Sequence, residues 1–88
     1  MYRVETVGDD IDASIEALPE DFLASFAELR VALEVSPWSV GRPYVASNPN
    51  GSRTASFGPG DRGMVLYVVQ EHEQVVAIWQ VTVVPDLD

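Results

Sequence analysis

Cysteine and lysine are both missing from this chain of 88 residues. Without cysteine there is no disulfide scaffold and no thiolate metal site. Without lysine the bases reduce to 5 arginines against 14 acids, and the formal net charge is −9. A field of that sign repels nucleic acid at long range. Histidine occurs once, as His72 in Glu71-His72-Glu73, which makes neither a zinc site nor a catalytic triad. No apolar run approaches the roughly 20 residues of a membrane span. The opening Met1-Tyr2-Arg3-Val4-Glu5 lacks the apolar stretch of a signal peptide, so a cytoplasmic location is the expectation.

What remains is a chain whose residues are 47% hydrophobic, with aromatics spread along its length. That composition argues for a folded core despite the charge. The length suits one domain over residues 1–88, able to bury roughly 60–65% of its unfolded surface. The charge is uneven. Residues 1–36 carry Arg3 and Arg30 against nine acids, a net of −7. Residues 37–63 carry Arg42, Arg53 and Arg62 against Asp61, a net of +2. Residues 64–88 carry four acids and no base. The middle segment is the one place that favours an anion, unless its arginines merely solubilise the surface.

Tyr2 to Val7 alternates and is rich in β-formers, which predicts a strand. After Gly8, Asp9 is the expected N-cap, with Asp12 in the capping-box position. Ile11, Ile15 and Leu18 then mark one face of a short helix that Pro19 should end. Pro19 also suits the first turn of a second helix, with Glu20 and Asp21 at its positive end. Phe22, Phe26, Leu29 and Leu33 give that helix an apolar stripe to about Glu34.

Residues 36–52 read as a long loop, pinned to the core by Trp38, Tyr44 and Val45 and turned by Asn48-Pro49-Asn50-Gly51. Arg53–Phe57 reads as a short strand and Gly58–Gly63 as a turn. Met64–Val69 is apolar throughout, as expected of a central strand buried on both faces. A polar hairpin leads into a last strand, Val75–Val84, whose expected inner face is Val75, Ala77, Trp79, Val81 and Val83. The fold class is therefore α+β, a two-layer β-α-α-β-β-β chain with an antiparallel sheet covered on one face by two N-terminal helices.

Few residues carry chemistry. Asp9, Asp10 and Asp12 lack the later Gly and Glu of a calcium loop and suit helix capping. Gly58, Gly60 and Gly63 precede a strand and no Lys-Ser/Thr follows, so they make a turn and not a phosphate cradle. Trp38 and Trp79 could stack a base or could pack in the core. The most suggestive group is Arg53, Arg62 and Tyr67. Two guanidiniums near one hairpin could grip a phosphate, with Tyr67 as hydrogen-bond donor. The alternative is a turn-capping arginine and a core tyrosine. No cofactor motif occurs.

Two stretches, in this order of elements, resemble the RelE/ParE toxin superfamily. One is Leu18-Pro19-Glu20 entering a helix that ends near Leu33-Glu34 and Ser36-Pro37-Trp38. The other is Phe57-Gly58-Pro59-Gly60-Asp61-Arg62-Gly63-Met64-Val65-Leu66-Tyr67, running into Val75 to Val81. The resemblance covers nearly the whole chain. It implies the toxin of a type II toxin–antitoxin pair, with a cognate antitoxin as partner. It further implies a ribosome-dependent endoribonuclease that inhibits translation by cutting mRNA with the ribose 2′-hydroxyl. In that family basic residues sit on the strand after the second helix, at the start of the next strand, and past the last strand. Arg53 fits the first place and Arg62 approximately the second. Val84-Pro85-Asp86 fills the third and holds no base. The resemblance leaves open a gyrase-directed ParE-like toxin and a catalytically degenerate protein-binding module of the same fold. It needs no cofactor, metal or membrane.

Overall fold

The computed structural model describes residues 1–85. Asp86, expected at the third basic place, lies outside them. The chain order is β1 (Arg3–Thr6), α1 (Asp9–Glu16), α2 (Glu20–Val35), α3 (Pro37–Val40), β2 (Arg42–Pro43), β3 (Arg53–Phe57), a 3-10 turn (Pro59–Asp61), β4 (Gly63–Gln70) and β5 (Val75–Val83). This is the expected α+β framework with a one-turn helix and a two-residue strand added inside the segment read as loop.

The strands form one sheet in the order β1-β5-β4-β3-β2. From β2 to β5 every pairing is antiparallel, as expected. At the other edge β1 pairs with β5 in parallel, so the sheet is mixed. The helical crossover and the three antiparallel steps after it bring the last strand beside the first in the same direction.

Both helices pack onto one face of this sheet. Phe22, Phe26, Leu29 and Leu33 are all buried, and Ile11 joins them from α1. They meet Val4, Ala55, Phe57, Val65, Tyr67, Val69, Val76, Ile78 and Val81 in a single core. Phe57 receives both Phe22 and Phe26 edge-on, with ring centroids 6.2 and 5.6 Å away. Gly58 follows at φ +80°, and a Cβ there would run into the Phe22 ring.

Three local expectations are corrected. Gly8, not Asp9, caps α1, and no side chain bonds its first amides. Asp12 instead accepts a 2.6 Å hydrogen bond from the Thr6 hydroxyl and ties α1 to β1. Trp38, Tyr44 and Val45 do not pin the 36–52 segment to the core, since all three are exposed, Tyr44 and Val45 by more than half. Pro37 is the buried residue there. The inner face of β5 also differs. Leu66 faces Gln80 while Tyr67 faces Ile78, so β5 carries one extra residue, Trp79, at this point. Such a bulge switches which side chains point inward. Val76 and Ile78 enter the core before it and Val81 after it, while Ala77 and Trp79 stay half-buried outside that core.

β4 is the middle strand, as its apolar run predicts. Val65, Tyr67 and Val69 belong to the core under the helices, and on the opposite face Leu66 is buried between half-buried Met64 and Val68. That opposite face, with Thr54 and Ser56 on β3, is the open side of the sheet.

Candidate functional site

Arg53 and Tyr67 are brought together, but below the surface. They are direct cross-strand partners on β3 and β4. Tyr67 is fully buried, and its hydroxyl donates to the Pro37 carbonyl at 3.0 Å. Arg53 is 5% exposed. Its Nη2 donates to the carbonyls of Trp38 and Gly41, both at 3.0 Å, and its Nη1 reaches the Pro49 carbonyl at 3.5 Å. The guanidinium also lies 5.3 Å from the Trp38 ring centroid. A buried charge needs compensation, and carbonyl dipoles with an aromatic face supply it here without a carboxylate. Both residues thus hold the 36–52 segment against the sheet. In this arrangement the polar atoms of both are turned to backbone carbonyls inside the fold.

Arg62 is elsewhere. The hairpin register puts Arg53 opposite Tyr67 and Phe57 opposite Gly63, so Arg62 lies beyond the far end of the ladder. Five residues along a strand is roughly 17 Å between the two Cα atoms. The guanidiniums are held by different partners, Arg53 by the Trp38 and Gly41 carbonyls and Arg62 by Val84. Arg62 is half-buried, with Nη1 donating to the Val84 carbonyl at 3.3 Å and its guanidinium 5.2 Å from the Phe22 ring centroid. Of the three expected residues it alone keeps partial access to solvent.

The open face holds a cation that the sequence reading counted but did not single out. Arg42 is exposed and makes no side-chain hydrogen bond or ion pair among the described residues. It pairs with Thr54 across β2 and β3. Arg42, Tyr44, Thr54, Ser56 and Met64 line an open groove of about 620 Å³ floored by Gly41 and Ala55. Gly41 is needed for this approach, because a Cβ there would meet the Thr54 carbonyl oxygen and the Tyr67 hydroxyl. One guanidinium beside several hydroxyls can bind a phosphate oxygen. No imidazole, carboxylate or amine lines the groove, so it carries no side chain of the usual general-base kind. The only advance sign of Arg42 was its place in the one positively charged segment.

A second polar cluster joins three distant parts of the chain. Glu71, in the β4–β5 hairpin, accepts from Trp38 Nε1 at 2.7 Å, from the Tyr2 hydroxyl at 2.9 Å and from Gln74 Nε2 at 2.6 Å. The Trp38 and Tyr2 bonds favour the charged form and hold Glu71 below the ordinary carboxylate range. The same hydrogen bond to Glu71 pushes the Tyr2 hydroxyl above its usual value. Trp38 is therefore held between Arg53 and Glu71. Trp79 is half-buried, and its Nε1 is enclosed without a partner. His72 stands exposed at the hairpin tip. Among the described residues no group of three or more His, Cys, Asp or Glu could hold a metal ion, and no helix is long and apolar enough to cross a membrane.

No sequence-family model and no curated protein matches this chain. Solved structures do match. A chain of the RelBE2 toxin–antitoxin complex of Mycobacterium tuberculosis superposes with a TM-score of 0.75 at 22% identity, over 97% of this chain and 93% of that one. A chain of the archaeal RelE–RelB complex of Pyrococcus horikoshii OT3 superposes with a TM-score of 0.67 at 19% identity, over 93% of each. At that identity and coverage the finding is one of architecture, and the described residues have the RelE-like fold.

Proposed function

We propose that this chain is the toxin of a type II toxin–antitoxin pair and inhibits translation by acting on mRNA in the ribosome. The observation that carries the reading is the match to chains from two toxin–antitoxin complexes over 93% or more of each chain. A cognate antitoxin is the partner this implies. Cleavage by attack of a ribose 2′-hydroxyl on the adjacent phosphate needs a cation at the phosphate and groups that move protons. Arg42 on the open face and Arg62 at the turn end of the β3–β4 hairpin are the cations with solvent access in the positive segment. With Arg53 and Tyr67 committed to the fold, proton transfer falls to ribosomal RNA or to the substrate's own surroundings.

Tightly regulated expression in a bacterial host tests the first half of the proposal. Growth arrest relieved by co-expression of the partner encoded beside this chain is the expected result. Unimpeded growth at high levels of folded protein would overturn it.

A second reading is favoured by one observation. The two residues expected to anchor and donate to the phosphate are both buried. A RelE-fold module that binds a protein and cleaves nothing has no need of them at the surface. Growth arrest without any RNA cleavage would select this reading.

A further inference from the structure

Helix α2 is apolar on two sides. Its inner stripe fills the core, but Leu23, Ala27, Val31 and Val35 recur at intervals of four along its outer side. Leu23 is 42% exposed, Val31 58% and Val35 65%. Residues at this spacing form a continuous ridge on a helix surface. The ridge runs for roughly 18 Å, about three turns. Single exposed apolar residues mean little, but an aligned row flanked by charge marks an interaction surface.

The flanks are all of one sign. Glu20, Glu28 and Glu34 border the ridge, and none of them is ion-paired among the described residues, where the single salt bridge joins Arg3 to Glu5. The one base of α2, Arg30, turns its guanidinium inward to the Val4 carbonyl at 3.3 Å. The last turn carries no base, so Glu34 sits at the negative end of the helix dipole. An acid in that position is unfavourable in the free protein, and a cation from outside would relieve it.

We propose that the outer side of α2 docks a basic amphipathic helix of a protein partner. An apolar stripe on that helix would pack along Leu23, Ala27, Val31 and Val35, with Ala27 allowing close approach. Arginine or lysine on both sides of the stripe would pair with Glu20, Glu28 and Glu34. Excess negative charge steers such a partner in and rejects acidic ones. This rests on the reading that the chain works with a protein partner, and it holds whether or not the chain cuts RNA.

The test titrates isotope-labelled full-length protein with a synthetic helix of about 18 residues, Leu and Ala on one side and Arg and Lys flanking them. The controls are a scrambled peptide of the same composition and an acidic counterpart. Saturable amide shifts confined to α2, weakened by salt and about tenfold weaker in Val31→Asp, are expected. Exchanging Glu28 and Glu34 for lysine is expected to transfer binding to the acidic peptide. Equal binding by the scrambled peptide, shifts centred on the open sheet face, or no shift at millimolar peptide would overturn the proposal. So would concentration-dependent shifts on α2 without peptide, which would make a second copy the occupant. Growth arrest is read separately. A Val31→Asp chain that still arrests growth but loses the peptide leaves the toxin reading intact. A chain that binds the peptide through α2 and never arrests growth removes the toxin reading alone.

Discussion

Arg53 and Tyr67 face each other across β3 and β4, and both direct their polar atoms to the turn at Pro37–Gly41. This pair is a structural clamp. Arg53→Ala should leave the carbonyls of Trp38 and Gly41 without donors and lose the stacking on Trp38. The expected cost is about 3 kcal/mol by urea denaturation. A loss below about 0.5 kcal/mol, the range of a surface change, would contradict the clamp.

Tyr67→Phe isolates the hydroxyl. The ring stays in the core and only the bond to the buried Pro37 carbonyl is lost. A destabilisation of about 1–2 kcal/mol is expected by the same method. Because both residues hold one segment, the double variant should fall short of additivity by about 0.5 kcal/mol or more.

The two longer helices and four of the strands were legible in the sequence because they follow from local rules, whereas the parallel pairing of β1 with β5 was not. Phe22, Phe26, Leu29 and Leu33 recur at helical spacing, and all four are buried. Asn48-Pro49-Asn50-Gly51 is a turn signal, and the Gly51 amide does donate back to the Asn48 carbonyl at 3.1 Å. The inner face of β5 was not legible, because an apolar run such as Val75–Ile78 gives no sign of where a bulge will switch faces. The site was less legible still. Arg53 is solvated by carbonyls from a segment up to 15 residues away, and no local pattern records that. The same register that pairs Arg53 with Tyr67 sets Arg62 at the other end of the hairpin. Chain proximity through a turn was mistaken for proximity in space.

Gly58 tests the helix–sheet contact. Its φ of +80° and its closeness to Phe22 both exclude a side chain. Gly58→Ala is expected to lose about 2 kcal/mol or more, part from strain and part from displacing Phe22 against Phe57. A melting temperature equal to that of the parent would contradict this packing.

Glu71 gives the fold an acid-sensitive link. Its carboxyl is held below the usual 4.5, chiefly by the Trp38 and Tyr2 hydrogen bonds. A depressed folded value means the stabilisation is present above the unfolded value and is lost as pH falls through the folded one. Melting temperature followed from neutral pH down through the acid range should therefore fall more steeply for the parent than for Glu71→Gln below about pH 4.5. Parallel curves would show that the cluster contributes no linkage.

Arg42 and Arg62 separate function from stability. Arg42 touches nothing that holds the fold, so Arg42→Ala should shift stability by less than about 0.5 kcal/mol. Arg62→Ala loses the Phe22 contact and the Val84 bond, an expected cost of about 1 kcal/mol. Both should weaken growth arrest. Full arrest by a folded Arg42→Ala protein would remove the groove from the account.

Cleavage mapping in a purified translation system tests the central claim most directly. The protein is added to a defined mRNA with and without ribosomes, and new 5′ ends are read by primer extension. Cuts within the A-site codon that require ribosomes, and that fade with Arg42→Ala, are the expected result. A message left intact by folded protein at every concentration, with ribosomes present, would contradict the claim and leave a binding protein on a RelE-like fold.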